Sequence, residues 1–233
     1  MKKVILILLV CVIRQLAIAQ SDEDIAIKIA ESNPASKKVD QLIVVYNQNP
    51  KDNQATLIGL EKVKGTWKVK LKAIKASIGR NGMAAINEKV EGDGKSPSGI
   101  FELGRLFGYE ELAPTSIHYT QSTTEDKWID DPNAEDYNTY VRGNTNAKSF
   151  EHLLLKSIDY KYCMVIEYNT QPVVKGKGSA IFFHLADEKY TPTSGCVAIA
   201  ENDMLDYLQW LMPNKKRAIL LTSLNSFISK LRR

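Results

Sequence analysis

Histidine and cysteine are scarce in this chain. Its 233 residues hold three of each. The histidines, at 118, 152 and 184, fall at no spacing that a metal site uses, so no metal and no other cofactor is expected. So few cysteines cannot form the disulfide framework of a domain this size. A second long apolar run is also missing. The one present, Val4–Ile13, is about half of the ~20 residues that span a bilayer. It follows Lys2 and Lys3 and leads through Arg14 to Ala17-Ile18-Ala19. A basic start, a short apolar stretch and an A-x-A ending make a secretory signal peptide, so residues 1–19 are read as cleaved after Ala19. No membrane span is then left. Cys11 goes with the signal, because Val10 before it is a poor small residue for lipoprotein processing. Charge of one sign is lacking as well. Of the net +4, Lys2, Lys3 and Arg14 supply three, and residues 1–19 hold no acid, so the mature chain carries +1. That excludes a nucleic-acid partner as an expectation.

The remainder suits one exported domain. Residues 20–39 are polar with a weak helical pattern and read as a helix or loose lead-in. Residues 40–225 read as the domain and 226–233 as a tail. "QLIVVYNQ" is a short β-branched strand. "TWKVKLKAIKASIG" alternates, with Trp67, Val69, Leu71 and Ala73 on a buried face and Lys68, Lys70 and Lys72 on a wet one. A solvated face that blocks edge pairing explains that lysine row. Glycines at 79, 82, 92, 94 and 99 mark a long loop that returns to a strand at Ile100–Leu103. Residues 110–146 are polar and irregular, and 149–156 read as a short helix carrying a surface His152. "YKYCMVIEYN", "SAIFFHLA", "GCVAIA" and "RAILLTS" are strands. "ENDMLDYLQWLMP" is an amphipathic helix with Leu205, Leu208 and Leu211 inward. Seven or eight strands with two or three helices, not regularly alternating, predict a mostly β (α+β) domain with a mixed sheet.

Two groups able to do nucleophilic chemistry bracket "HLADEKYTPTSGC", His184 to Cys196. Cysteine attacks as the thiolate and needs a base or a positive neighbour. A histidine on the adjacent strand can be that base. Gly195 lets backbone and substrate approach closely, and N–H groups around Gly195 and Cys196 can face an oxyanion. The alternatives are a structural thiol, or one disulfide between Cys163 and Cys196. "GDGKS" at 92–96 does not fit the spacing of a phosphate-binding loop. It reads as a turn that positions the following strand.

The wider stretch "FFHLADEKYTPTSGCVAI" resembles the catalytic stretch of the L,D-transpeptidase family, the YkuD-like domain. That family carries a histidine on one strand and then a [Ser/Thr]-His-Gly-Cys element. His184 matches the first histidine; Thr193, Gly195 and Cys196 match three of the next four positions. Ser194 stands in place of the second histidine, and Ala198 in place of the arginine or asparagine that often follows. A divergent branch reads Pro-Thr-(Ala/Ser)-Gly-Cys-Val-Ala and shares "GDGKSPSGIF" at 92–101, "WIDDPNAEDYN" at 128–138 and "PVVKGKGSAIFFH" at 172–184. The resemblance covers about residues 40–222. It implies the YkuD-like fold and an exported, periplasmic enzyme of cell-wall biogenesis and cell shape. Its partners would be peptidoglycan stem peptides. Cys196 would be the nucleophile, His184 the base and then the acid, Gly195 and Cys196 the oxyanion donors, and Ser194 an orienting group for His184. His118, Trp128 and Tyr137 are candidates to line the substrate cleft. A hydrolase on the same scaffold and a non-catalytic wall-binding domain are the rival readings.

Overall fold

The computed structural model describes residues 21–232. The signal-peptide reading of residues 1–19 therefore lies outside the described residues. The elements, in order, are α1 (Asp22–Ser32), a 3-10 turn (Pro34–Lys38), β1 (Gln41–Asn47), β2 (Gln54–Val63), β3 (Thr66–Ser77), β4 (Gly99–Gly108), β5 (Tyr119–Gln121), β6 (Asp126–Ile129), β7 (Tyr140–Arg142), β8 (Phe150–His152), β9 (Tyr162–Ile166), β10 (Phe182–Leu185), β11 (Val197–Ile199), α2 (Glu201–Trp210), β12 (Arg217–Ser223) and α3 (Leu224–Leu231). The fold is mostly β with a mixed sheet, as the sequence predicts.

The main sheet runs β12-β1-β2-β3-β11-β10-β9-β4-β5, and β12 also pairs with β4, so eight of the strands close on themselves. Closure removes the open edges that a sheet this large would otherwise expose. The β1–β12, β10–β11 and β4–β5 pairs are parallel and the other neighbours antiparallel. The interior is filled from almost every strand by residues such as Ile43, Leu57, Leu106, Met164, Phe183, Val197 and Ile219, with Tyr207 and Leu208 of α2 plugging one side. Alternate residues point outward into two smaller cores. One holds Leu42, Val44, Ile58 and Leu220 under α1. The other holds Phe107, Cys163, Val165, Phe182 and Cys196 beside Trp128, Leu153 and Tyr160. A strand covered on both faces is apolar throughout, which explains the unbroken run in β1.

Of the two readings of the lead-in the helix holds, and three other expectations need correction. Ser21 caps α1, its Oγ accepting from the Asp24 N–H at 3.2 Å, and Ala26, Ile29 and Ala30 are buried against the sheet. Residues 150–152 form β8, where a helix over 149–156 is predicted; the segment pairs with β6, and His152 is an exposed strand residue. Short strands β5, β6 and β7 lie in the stretch read as irregular, since three or four residues are too few to display a period of two. In β3 the lysines at 68, 70 and 72 are exposed as expected, but the apolar residues divide. Register shifts opposite Gly59 turn Leu71 into the main core while Trp67, Val69 and Ala73 pack in the α1 layer.

Among the described residues no helix is long and apolar enough to cross a membrane. Because Ile29 of α1 is almost fully buried against the sheet, Ile29→Ala is expected to cost about 2–5 kcal/mol. A urea-unfolding midpoint measures this; an unchanged midpoint would show α1 to be a detachable appendage.

Candidate active site

The pairing of β10 with β11 builds the site. Phe183 lies beside Val197 and His184 beside Ala198 in parallel register. Phe183, Leu185, Val197 and Ile199 point into the main core. Alternation then sends Phe182, His184 and Cys196 to the opposite, outer face. Cys196 and His184 both open there on one cleft of about 470 Å³. Tyr160 packs edge-on against the rings of both Phe182 and His184, with centroids 5.5 and 5.3 Å away.

The thiol is held on both sides. The Phe182 N–H donates to Cys196 Sγ at 3.3 Å, and Sγ donates to the Ala180 carbonyl at 3.4 Å. Burial pushes its pKa up to about 12; the Phe182 N–H and the charge of Lys89 oppose this, while Glu151 adds to it. His184 is 8% exposed, and its Nδ1 lies 2.8 Å from the Leu185 carbonyl. A carbonyl only accepts, so Nδ1 carries the proton and Nε2 is left as the acceptor. Burial lowers the imidazole pKa below its ordinary value, against the pull of the Leu185 carbonyl and of Asp159. Burial thus disfavours the charged form of both groups.

Two glycine-marked segments lace this site together. Residues 78–80 run beside Thr193: the Thr193 N–H donates to the Ile78 carbonyl at 2.9 Å and the Arg80 N–H to the Thr193 carbonyl at 2.8 Å. Ser96, fully buried in "GDGKSPSG", accepts from the Gly79 N–H at 3.0 Å and donates to the Cys196 carbonyl at 3.3 Å. The Thr193 hydroxyl donates to that same carbonyl at 2.8 Å. Gly195 has φ of +150°, and a Cβ there would meet the Lys95 carbonyl oxygen at 2.9 Å, so only glycine fits. The "GDGK" stretch is a turn, as expected: Asp93 accepts from the N–H groups of Val90 at 3.0 Å and Lys95 at 2.8 Å.

The structure brings only some of the predicted site residues together. The Gly195 N–H is turned back onto the Thr193 hydroxyl at 3.1 Å, so it is occupied and does not face the cleft as an oxyanion donor. The Ser194 hydroxyl accepts from Arg80 Nη1 at 2.9 Å, while the orienting partner of His184 is the Leu185 carbonyl. His118 is exposed and does not line the cleft. Trp128 and Tyr137 stand behind the cleft wall, at 6% and 1% exposure. Trp128 Nε1 donates to Asn138 Oδ1 at 2.8 Å, and that oxygen also accepts from the Ala180 N–H at 3.1 Å. Asn138 therefore fixes the residue whose carbonyl accepts the hydrogen bond of the thiol. The Tyr137 hydroxyl donates to Glu91, which also accepts from Ser179. Cys163 and Cys196 are both free thiols, and burial drives the Cys163 pKa well above its ordinary value.

Sequence reading missed Lys89. It is 3% exposed and pairs with Asp93 at 2.8 Å. A Cβ on Gly195 would lie 3.6 Å from its Nζ, so this ammonium sits beneath the Gly195–Cys196 turn. A single lysine in a polar loop carries no pattern that would reveal it. Asp130 and Glu151 also line the cleft. Burial raises the Glu151 pKa first, and the neighbouring charge of Asp130 adds to it.

With this geometry stand the comparisons with known proteins. The family model of the YkuD L,D-transpeptidase catalytic domain matches residues 42–219. The chain belongs to that family. No curated protein matches it. Among solved structures it is similar to the helical cell shape determining protein Pgp2 from Campylobacter jejuni, at 17% identity and a TM-score of 0.42. The match covers 87% of this chain and 55% of that one, so the chain spans about half the length of that relative.

A thiol whose pKa is pushed up to about 12 alkylates slowly at neutral pH. With iodoacetamide, the Cys196 rate, followed by peptide mapping, is expected to climb about tenfold per pH unit through pH 10. A plateau near pH 8 would contradict a neutral resting thiol.

Proposed function

We propose that this chain is an exported cysteine acyltransferase that acts on peptidoglycan stem peptides. The observation that carries the reading is the shared cleft, which the Cys196 thiol and the His184 imidazole both line where β10 and β11 run parallel. Family membership supplies the substrate class.

The proposed chemistry starts from a neutral thiol and a neutral imidazole. His184 Nε2 takes the thiol proton as Sγ bonds to the carbonyl carbon of the third stem residue. The positive Lys89 beneath the turn favours the negative charge that develops there. The imidazolium then protonates the leaving nitrogen, and the terminal D-amino acid departs. A thioester remains on Cys196. An acceptor amine that attacks it gives a cross-link and regenerates the thiol; water gives a trimmed stem instead.

One observation favours a second reading. The thiol is not activated at rest, and a non-catalytic wall-binding domain would need no activated thiol. Mass spectrometry of muropeptides incubated with the protein separates the two. Cross-linked or trimmed products that vanish with Cys196→Ala support the enzyme, and unchanged muropeptides at every stem length support the binding domain. His184→Gln is expected to lower the rate by roughly 10²–10⁴-fold. Because burial lowers the His184 pKa, the base stays neutral to below its ordinary value of 6.5. The acid limb of the rate profile should therefore fall below pH 6.5; a limb above it would contradict the assignment.

A further inference from the structure

We propose that Arg80 is the binding residue for the free terminal carboxylate of the donor peptide, and so makes the site read the end of the stem; this rests on the acyl-transfer reading above. Arg80 lines the cleft that holds Cys196 and His184. It follows Gly79, whose Cβ, if present, would meet backbone atoms of Gly94, Lys95 and Ser96 at 2.5–2.8 Å. Only a glycine lets the chain pass there and deliver the next side chain to the cleft. The Arg80 N–H is fixed to the Thr193 carbonyl at 2.8 Å, and Nη1 donates to the Ser194 hydroxyl at 2.9 Å. The guanidinium lies over Gly94, where a Cβ would stand 2.9 Å from Cζ.

The group is thus placed by three neighbours, yet its charge is not neutralised. Among the described residues the ion pairs are Lys89–Asp93, Arg142–Asp126, Lys161–Glu201 and Lys215–Glu61, and Arg80 is in none of them. The other cleft cation, Lys89, is buried and already paired. Asp187, the acid of the nucleophile's loop that lines the cleft, is occupied by Thr191 through 2.8 and 2.6 Å hydrogen bonds. A planar fork with one arm on a hydroxyl and the rest open to solvent suits a carboxylate.

The placement matches the chemistry. Arg80 is anchored on Ser194, two residues before the nucleophile. In a stem whose attacked carbonyl belongs to the penultimate residue, the terminal carboxylate lies one residue beyond, about 3.8 Å further along the chain. A guanidinium beside the nucleophile can therefore hold that carboxylate while Sγ meets the carbonyl. Stems extended by another residue, or capped as amides, would leave the charge unanswered.

The test uses N-acetylated tetrapeptide stems ending in a free acid or a carboxamide. Binding to the Cys196→Ala protein is measured by calorimetry, so that the result does not depend on turnover. The acid is expected to bind roughly 10- to 100-fold more tightly than the amide. Arg80→Gln in the same background should abolish that ratio, and Arg80→Lys should restore part of it. A ratio that survives Arg80→Gln, or an acid stem that binds no better than its amide, would overturn the assignment. Failure of the acyl-transfer reading would show separately, as acid-selective binding by a wild-type protein that turns nothing over.

Discussion

The site depends on one pairing, the parallel contact between β10 and β11. Neighbouring parallel strands must be joined by a connection that leaves the sheet and returns. Here that connection runs from Ala186 to Cys196 and crosses the mouth of the cleft. Parallel register then sends His184 and Cys196 to one face, while Phe183 and Val197 lock the pair from inside. A one-residue slip of either strand would turn its own functional group toward the interior core. The closed sheet, the Gly79 passage and the buried Ser96 all restrict that slip.

Burial has two consequences in this arrangement. It holds the imidazole neutral, which suits a base, and it holds the thiol neutral, which does not suit a resting nucleophile. The opposing influences are local and few: the Phe182 N–H, and Lys89 beneath the turn. Glu151 pushes the other way. In the proposed acyl transfer, Sγ would therefore need its proton taken as the bond to the substrate carbonyl forms.

Much of this was legible in the sequence. The stretches "QLIVVYNQ", "YKYCMVIEYN" and "SAIFFHLA" read as strands, and β1, β9 and β10 form there. The motifs flanking His184 and Cys196 single out two side chains that line one cleft. Other parts carry no local signal. Strands of three residues cannot show a period, and β8 pairs with a partner more than twenty residues away. The register shifts that split the apolar face of β3 lie opposite Gly59, on the partner strand, so the sequence of β3 itself does not display them. Motif reading placed Trp128 and Tyr137 in the cleft because the stretch is distinctive. Their work lies behind the wall, through Asn138 and Glu91. Lys89 and Arg80 reach the site through backbone packing around Gly79 and Gly178, which no spacing rule describes.

The central claim is that Cys196 becomes acylated. Intact-protein mass spectrometry after brief mixing with a tetrapeptide stem tests it most directly. The account predicts an adduct equal to the stem without its terminal residue, mapped by digestion to Cys196 and released by hydroxylamine. Product formation with the adduct on another residue, or with no adduct under acid quench at any time, would contradict it.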